Sequence, residues 1–348
     1  MVILGIDAHK RSHTVVAVDE LGRKLGERCV TAISSDHLAL LEWAEHFGST
    51  RLWAVEDCRH LSRRLERDLL GAGESVVRVP PKLMAHSRDS ARTFGKSDPI
   101  DALAVARAAL REPHLPTAHL DGPDREIRLL LAHREALVAE RTRVVNRLRW
   151  HLHEIDPSWE PPARGLRHVK HLDAVNRRLD AVPGLVARLS RELVARCRDI
   201  TARVNDLEAE IQLLLAPLSP ALLGVQGCGA LSAAKIIGET AGVQRFHSKD
   251  AFAKHNGTAP LPVWSANCVR HRLSRMGNRQ INAALHRIAL TQARHNPQAR
   301  EYLARRRAAG SSTKEAMRCL KRRLSDVVYR ALVADHDSQE SAPLSLVA

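Results

Sequence analysis

Between Asp124 and Ile155 the chain contains no glycine and no proline. Over that stretch Ile127, Leu130, Leu131, Leu137, Val138, Val144, Val145, Leu148 and Leu152 follow helical spacing. At about 1.5 Å of rise per residue, such a helix outruns the width of a small globule. A second stretch carries Val186, Leu189, Leu193, Cys197, Ile200, Val204, Leu207, Ile211 and Leu214 at heptad-like steps. A break containing proline and glycine, from Asp156 to about Gly165, lies between them. The pattern predicts a helical coiled-coil linker over residues 121–217, packed on itself or shared between protomers. It divides the chain into a domain at 1–120, a mainly helical domain at 218–334 and a disordered tail at 335–348. Arg134 and Arg141 fall on the apolar stripe of the first long helix.

The first domain alternates in period. Val2–Ile6 is a short continuous apolar run, as a buried strand shows, and Thr14–Val18 follows, with Glu20-Leu21-Gly22-Arg23 turning into Cys29-Val30. Ser34-Ser35-Asp36 then reads as a helix cap, ahead of Leu38, Leu40, Leu41 and Trp43. A strand at Leu52–Glu56, a helix at Leu61–Leu70, a strand at Val76–Val79 and a helix opened by Asp98-Pro99 complete the series. Three strands, helix, strand, helix, strand, helix is the order of the α/β ribonuclease H-like fold.

In that fold Asp7 ends the first strand and Glu56 the fourth, and those two strands are neighbours. Asp98 and Asp101 stand three apart at a helix start and face one side. Asp57 is the alternative to Glu56, although strand alternation turns it to the opposite face. Four converging carboxylates repel one another strongly without a cation. Two Mg²⁺ ions would neutralise them and activate a nucleophile for phosphodiester cleavage.

The rest of the composition agrees with a polyanionic partner. The formal net charge is +15 and the isoelectric point about 10.2, and each phosphate neutralised by Lys or Arg releases a counterion. The six cysteines form no Cys-x-x-Cys pair, so neither a zinc ribbon nor a disulfide framework is indicated, and reduced thiols in the cytoplasm fit. No apolar run approaches the roughly 18 residues needed to cross a bilayer, and the first residues carry no signal-peptide pattern. No membrane partner is expected.

In the last domain Gly224-Val225-Gln226-Gly227-Cys228-Gly229 before a helix resembles a helix-hairpin-helix, with Gly227 and Gly229 opening backbone N–H groups to a phosphate. Gly257-Thr258-Ala259-Pro260, Ser265 and Arg275-Met276-Gly277-Asn278 follow, with Arg270, Arg272, Arg275 and Arg279 clustered around the serine. Arg318, Lys321, Arg322 and Arg323 form a second basic run.

Gly5-Ile6-Asp7-x-x-Lys10, then Ala54-Val55-Glu56, then Lys96-Ser97-Asp98-x-x-Asp101-Ala102 resembles the DEDD transposases of the IS110 insertion-sequence family. Their N-terminal domain is similar to RuvC-type Holliday-junction resolvases. The Gly-Thr-Ala-Pro…Ser…Gly-Asn run resembles the same family. The resemblance implies a DNA transposase in which Asp7, Glu56, Asp98 and Asp101 bind metal and Ser265 attacks DNA to form a phosphoserine bond. Ser274 is the other serine, and its basic setting suits a phosphate contact. Lys10, Lys96 and the arginines around Ser265 would hold nucleic acid. The resemblance further implies target and donor DNA, a structured bridge RNA that pairs with both, a homo-oligomer from dimer to tetramer, and residence at the nucleoid. The alternative within the same chemistry is a metal-dependent junction nuclease that uses water and forms no covalent intermediate.

Overall fold

The computed structural model describes residues 1–80, 83–84, 97–112, 115–118, 122–265, 268–272 and 277–341, with only the backbone described at 59–60, 263–265 and 268–272. The chain divides into two compact units, Met1–Gly122 and Pro123–Ala348.

The first unit is built on a five-stranded sheet: β1 (Val2–Ala8), β2 (Ser12–Val18), β3 (Lys24–Thr31), β4 (Arg51–Glu56) and β5 (Val76–Val79), in the order β3-β2-β1-β4-β5. β1 pairs antiparallel with β2 and parallel with β4, and β4 pairs parallel with β5. This mixed sheet with interleaved helices is the ribonuclease H-like arrangement read from the element order. Helices α1 (Ser34–Glu45) and α2 (Arg59–Gly71) make the crossovers. Alternation along β1 sends Leu4, Ile6 and Ala8 into one core with Leu40, Leu41, Leu65 and Leu69. It sends Ile3 into a second core on the opposite face, under α3 (Asp98–Arg111), with Ala102, Val105, Ala106 and Ala109.

Gly5 lies on that second face, and α3 runs directly over it. A Cβ at Gly5 would overlap the Ala102 carbonyl oxygen and the Ala106 amide nitrogen. The alanine-rich underside of α3 completes the close approach, which brings the first turn of the helix to the end of β1.

The expected cap at Ser34-Ser35-Asp36 is corrected. The helix starts at Ser34 after Ile33, whose side chain offers no cap, and Asp36 in the first turn accepts from Thr31 N at 3.1 Å and Thr31 Oγ1 at 2.6 Å. The carboxylate therefore fastens the end of β3 to α1.

The second unit opens with the two long helices, α4 (Pro123–Ile155) and α6 (Leu185–Leu218), joined through a short 3₁₀ turn (Gly165–Arg167) and α5 (Val169–Asp180). They pack antiparallel within one chain: Arg134 Nη2 donates to Glu208 Oε2 at 2.7 Å and Arg141 Nη1 to Thr201 Oγ1 at 3.2 Å, while Arg196 pairs with Glu140. Each of the two arginines on the apolar stripe is thus bonded across the hairpin, while Arg134 Nε is buried with no hydrogen-bond partner among the described residues. At one end Leu148, Leu152, Leu172, Val175, Leu179 and Val194 form a core of their own. At the other, Ile127, Leu131, Ile211 and Leu215 belong to the core of the C-terminal helices. The hairpin and the C-terminal helices therefore form one compact unit, where the sequence reading separates a linker at 121–217.

The C-terminal part adds α7 (Pro220–Leu223), α8 (Ala230–Thr240), α9 (Lys249–His255), the ribbon β6 (Leu261–Ser265) and β7 (Cys268–Arg272), α10 (Arg279–His295), α11 (Pro297–Ala308) and α12 (Thr313–Glu340). α12 corrects the expected tail, because residues 335–340 are helical. Buried Asp335 accepts from the amides of Ala221 at 2.7 Å and Leu222 at 3.0 Å, capping α7. Residues 342–348 lie outside the described residues. Among the described residues no helix is long and apolar enough to cross a membrane.

Two predictions follow from the packing of the sheet. Gly5→Ala should cost about 2 kcal/mol through overpacking, read as a lower Tm, whereas Gly71→Ala, where a Cβ meets nothing within 4 Å, should leave Tm near wild type. The second concerns His13, fully buried on β2, whose pKa burial and neighbouring His37 lower from 6.5 to about 4. Below 6.5 the unfolded chain takes up a proton that the folded chain refuses, so His13 should erode stability as pH falls from 6.5 to 4. A His13→Leu variant should show a shallower fall of Tm over that window; an unchanged slope would clear His13 of the effect.

Candidate active site

The site is assembled by three backbone elements. Asp7 comes from the second-last residue of β1. Glu56 ends β4, one step beyond the Ile6–Val55 pair that joins the two parallel strands. Asp98 and Asp101 occupy the first turn of α3, which starts after Ser97 and carries Pro99 in its opening turn. The Asp101 amide donates to Ser97 O at 3.1 Å, closing that turn.

Burial differs sharply among the four acids. Asp7 is 5% exposed and Asp101 7%, while Glu56 is half-buried and the Asp98 side chain is 55% exposed. Asp7 Oδ2 is buried, and among the described residues it has no hydrogen-bond partner. Burial pushes the Asp7 carboxyl above its ordinary value; His9 opposes this, and the charges of Asp101, Glu56 and Asp98 reinforce it. The four predicted acids thus act on one another, as the strand and helix placement requires. Asp57, the alternative, sits one residue on, with its amide donating to Val79 O at 3.0 Å. Nearby Cys58 is pushed up to about 11, first by burial and next by Glu56, so its thiol stays protonated and is no nucleophile.

His9 is the residue that sequence reasoning passed over. Its Nε2 lies 3.3 Å from Asp7 Oδ2 and 3.3 Å from Asp98 Oδ1. Asp7, His9 and Asp98 each place one ligand atom within 4.8 Å of the others. The signal was the spacing: two residues past Asp7 the chain returns to the same face. Oxygen-rich donors with one buried, unpartnered carboxylate oxygen fit a hard divalent cation. Lys10, the residue after His9, is exposed, while Lys96 lies outside the described residues.

Ser265 is in the second unit. It ends β6 and pairs in register with Cys268, the first residue of β7; Arg270 and Arg272 follow on β7 opposite Val263 and Leu261. Ala266, Asn267, Ser274 and Arg275 lie outside the described residues. The motif residues flanking the ribbon fasten its base. Gly277 adopts φ +110, and a Cβ there would lie 2.7 Å from both Gly257 N and His255 O. Asn278 N donates to His255 O at 2.6 Å, Asn278 Nδ2 donates to Glu239 Oε2 at 2.7 Å, and Asn278 Oδ1 caps α10 by accepting from Gln280 N and Ile281 N. Asn256 Oδ1 accepts from Thr258 N and Oγ1, while its Nδ2 donates to buried Ser325 Oγ at 2.8 Å.

The other predicted contacts divide. Gly227 has φ +86, and a Cβ on it would lie 3.1 Å from Thr291 Cβ, so this glycine serves the packing of α10. Gly229 is open, and leads into α8 as its N-terminal flank. Arg279 begins α10 beside Lys321, whose pKa is lowered by burial and then by Arg279. The second basic run is largely occupied internally: Arg322 pairs with Asp326 and Asp250, Arg323 stacks 4.3 Å over Tyr302, and Lys321 Nζ donates to Asn282 Oδ1 at 2.5 Å.

Two family models match this chain. The first, a transposase model of DEDD type from IS110 elements, matches residues 4–157, and the second, described as transposase of the IS116/IS110/IS902 family, matches residues 219–304. Among curated proteins, the chain is 26% identical to the insertion element IS900 42 kDa protein of Mycobacterium paratuberculosis, covering 95% of both. It is 27% identical to the insertion element IS116 44.8 kDa protein of Streptomyces clavuligerus over 94% of both. It is 26% identical to the insertion element IS110 43.6 kDa protein of Streptomyces coelicolor over 98% of this chain and 96% of the relative. Among solved structures, T. thermophilus RuvC in complex with Holliday junction substrate is similar over 34% of this chain and 99% of its own, at 18% identity and TM-score 0.27. A second Thermus thermophilus RuvC structure is similar over 34% and 100%, at 17% identity and TM-score 0.28.

The raised Asp7 carboxyl carries a testable sign. At neutral pH ionised Asp7 opposes folding of the metal-free protein, and that opposition fades as pH falls and Asp7 takes up a proton. Metal-free Asp7→Asn should therefore melt above wild type at pH 7, with the gap closing towards pH 4. Added Mg²⁺ should raise the Tm of wild type and leave Asp7→Asn unmoved. A variant that melts below wild type at pH 7 would remove the electrostatic strain assigned to Asp7.

Proposed function

This chain belongs to the IS110 family of transposases, and on that footing we propose that it cuts and rejoins DNA strands at the ends of an insertion sequence through a serine nucleophile. The observation that carries the reading is the buried, unpartnered Asp7 oxygen amid three further carboxylates drawn from β4 and α3. Asp7, Glu56, Asp98 and Asp101 would hold divalent cation, Mg²⁺ and in two positions on our reading. Bound there, it would neutralise the carboxylates and polarise the scissile phosphodiester.

The chain's own groups supply the rest. Ser265 Oγ attacks phosphorus and releases its proton as the new P–O bond forms. The bond from phosphorus to the sugar oxygen of the leaving strand breaks, and that oxygen gains a proton. Reversal of the step by another strand's hydroxyl reseals the backbone and frees the serine, so that no phosphodiester energy is lost to water. The ribbon that carries Ser265 is clamped at its base by Gly257, Gly277 and Asn278, which limits how far the serine wanders from its strand register. Arg270, Arg272, Arg275 and Arg279 hold the flanking phosphates, and Lys10 and Lys96 those beside the acids. Specificity comes from a structured bridge RNA pairing with target and donor DNA. Homo-oligomers, dimeric to tetrameric, bring the strands together at the nucleoid.

A nicked suicide substrate tests this. Wild type with Mg²⁺ should form a protein–DNA adduct that survives denaturation, because a phosphoserine ester is a covalent bond. Ser265→Ala and Glu56→Ala should form none, and Ser274→Ala should form it as wild type does. Metal-dependent cutting by Ser265→Ala at the wild-type rate, with no adduct, would hand the function to a hydrolytic nuclease.

A further inference from the structure

We infer that His9 is itself a ligand of the cation held by the acids, which makes this a mixed nitrogen–oxygen site with a bias towards first-row transition ions over Mg²⁺. The inference rests on the metal-dependent reading above and deepens it.

Three observations converge on His9. The first is anchoring. His9 is the residue after β1, and its amide donates to Ser12 O at 2.9 Å, so the tight β1–β2 connection fixes the backbone that carries the ring. The second is spacing. Nε2 stands 3.3 Å from Asp7 Oδ2 on the strand and 3.3 Å from Asp98 Oδ1 on the helix. In an octahedral shell with bonds of about 2.1 Å, neighbouring ligand atoms sit roughly 3 Å apart, so these separations are close to those of adjacent ligands. The third is that proximity does not become a hydrogen bond. Among the described residues Asp7 Oδ2 keeps no hydrogen-bond partner although the imidazole nitrogen is beside it, and the carboxylate is all but buried. A ring serving only as an ion-pair partner would be turned to satisfy that oxygen. Instead, the ring nitrogen and the carboxylate oxygen lie side by side with Asp98 Oδ1 as the third corner.

The chemistry of the nitrogen gives the selectivity. Mg²⁺ gains little by exchanging a water for an imidazole, whereas affinities of nitrogen-containing sites rise along the first transition row. Removal of His9 should therefore weaken transition ions more than Mg²⁺, while the four carboxylates go on binding both.

Mn²⁺ is the probe, because its unpaired electrons report a bonded nitrogen through ¹⁴N coupling in pulsed electron paramagnetic resonance. The full-length protein should bind Mn²⁺ with ¹⁴N coupling. His9→Ala should bind it about tenfold more weakly and without that coupling, and the Mg²⁺ concentration needed to displace Mn²⁺ should fall by a similar factor. His9 is half exposed at its side chain (47%), so the variant should fold, as an unchanged Tm would verify. Mn²⁺ bound without ¹⁴N coupling in wild type, or coupling that persists in His9→Ala, would overturn the assignment of His9 and leave the acidic metal site standing. Mn²⁺ binding that is absent, or indifferent to Asp7→Asn, would overturn both.

Discussion

The backbone-to-backbone approach of α3 to β1 is the contact on which the acidic site depends. Glycine at position 5 removes the one atom that would hold the helix off the strand, and alanines at 102, 106 and 109 supply a flat underside. Asp98 and Asp101 are then carried to Asp7 by the geometry of a rigid helix. The parallel β1–β4 register delivers Glu56 from the neighbouring strand. The four acids are supplied by three pieces of regular structure, two of them by one helix turn, and none needs a flexible loop to reach the others. Such placement tolerates electrostatic strain, because the core holds the carboxylates together against their mutual repulsion.

The two units solve different problems with similar means. In the first, an apolar sheet and its overlying helix bury the carboxylates of Asp7 and Asp101. In the second, polar side chains are spent on fixing backbone: Asn256, Asn278 and Asp335 each use an amide or carboxylate to fasten a segment that lacks its own partners. The Gly-Thr-Ala-Pro and Gly-Asn runs thereby gain a physical meaning separate from catalysis. They form the footing of the ribbon at whose tip Ser265 lies, and this explains why the motif around the proposed nucleophile contains so few reactive groups.

Much of this was legible in the sequence because it was periodic. Short apolar runs separated by turn residues marked the order of elements along the chain, and the four acids fell at element ends where a period changes. What escaped was specified by partners distant in sequence. Asp335 looked like the start of a polar tail, and its role as a cap emerges only when α7, more than a hundred residues earlier, packs beside it. Ser34-Ser35-Asp36 offered a cap in sequence, yet Asp36 satisfies Thr31 on the strand before it. Leu172, Val175 and Leu179 stand at helical steps, but their short helix is stabilised by the closed end of the hairpin, which no local window contains. His9 reads as an ordinary exposed histidine until a helix from ninety residues downstream sets Asp98 against it. In the basic run at residues 318–323 the internal partners Asp250, Asp326 and Tyr302 were likewise invisible in the sequence, because two of them come from elements far along the chain.

The long hairpin has an apolar core at each end and, between them, a span held by Arg134–Glu208, Arg141–Thr201 and Arg196–Glu140. That middle span adds the buried side chains of Ile200 and Val204 to these polar contacts, less apolar surface than either core holds. It is therefore the part of the molecule whose length is least constrained by stability. Matching whole turns added to or deleted from both helices would leave either core intact while moving the closed end outward or inward. The hairpin is a spacer of adjustable reach, so relatives could differ in the distance it spans without having to reinvent either end.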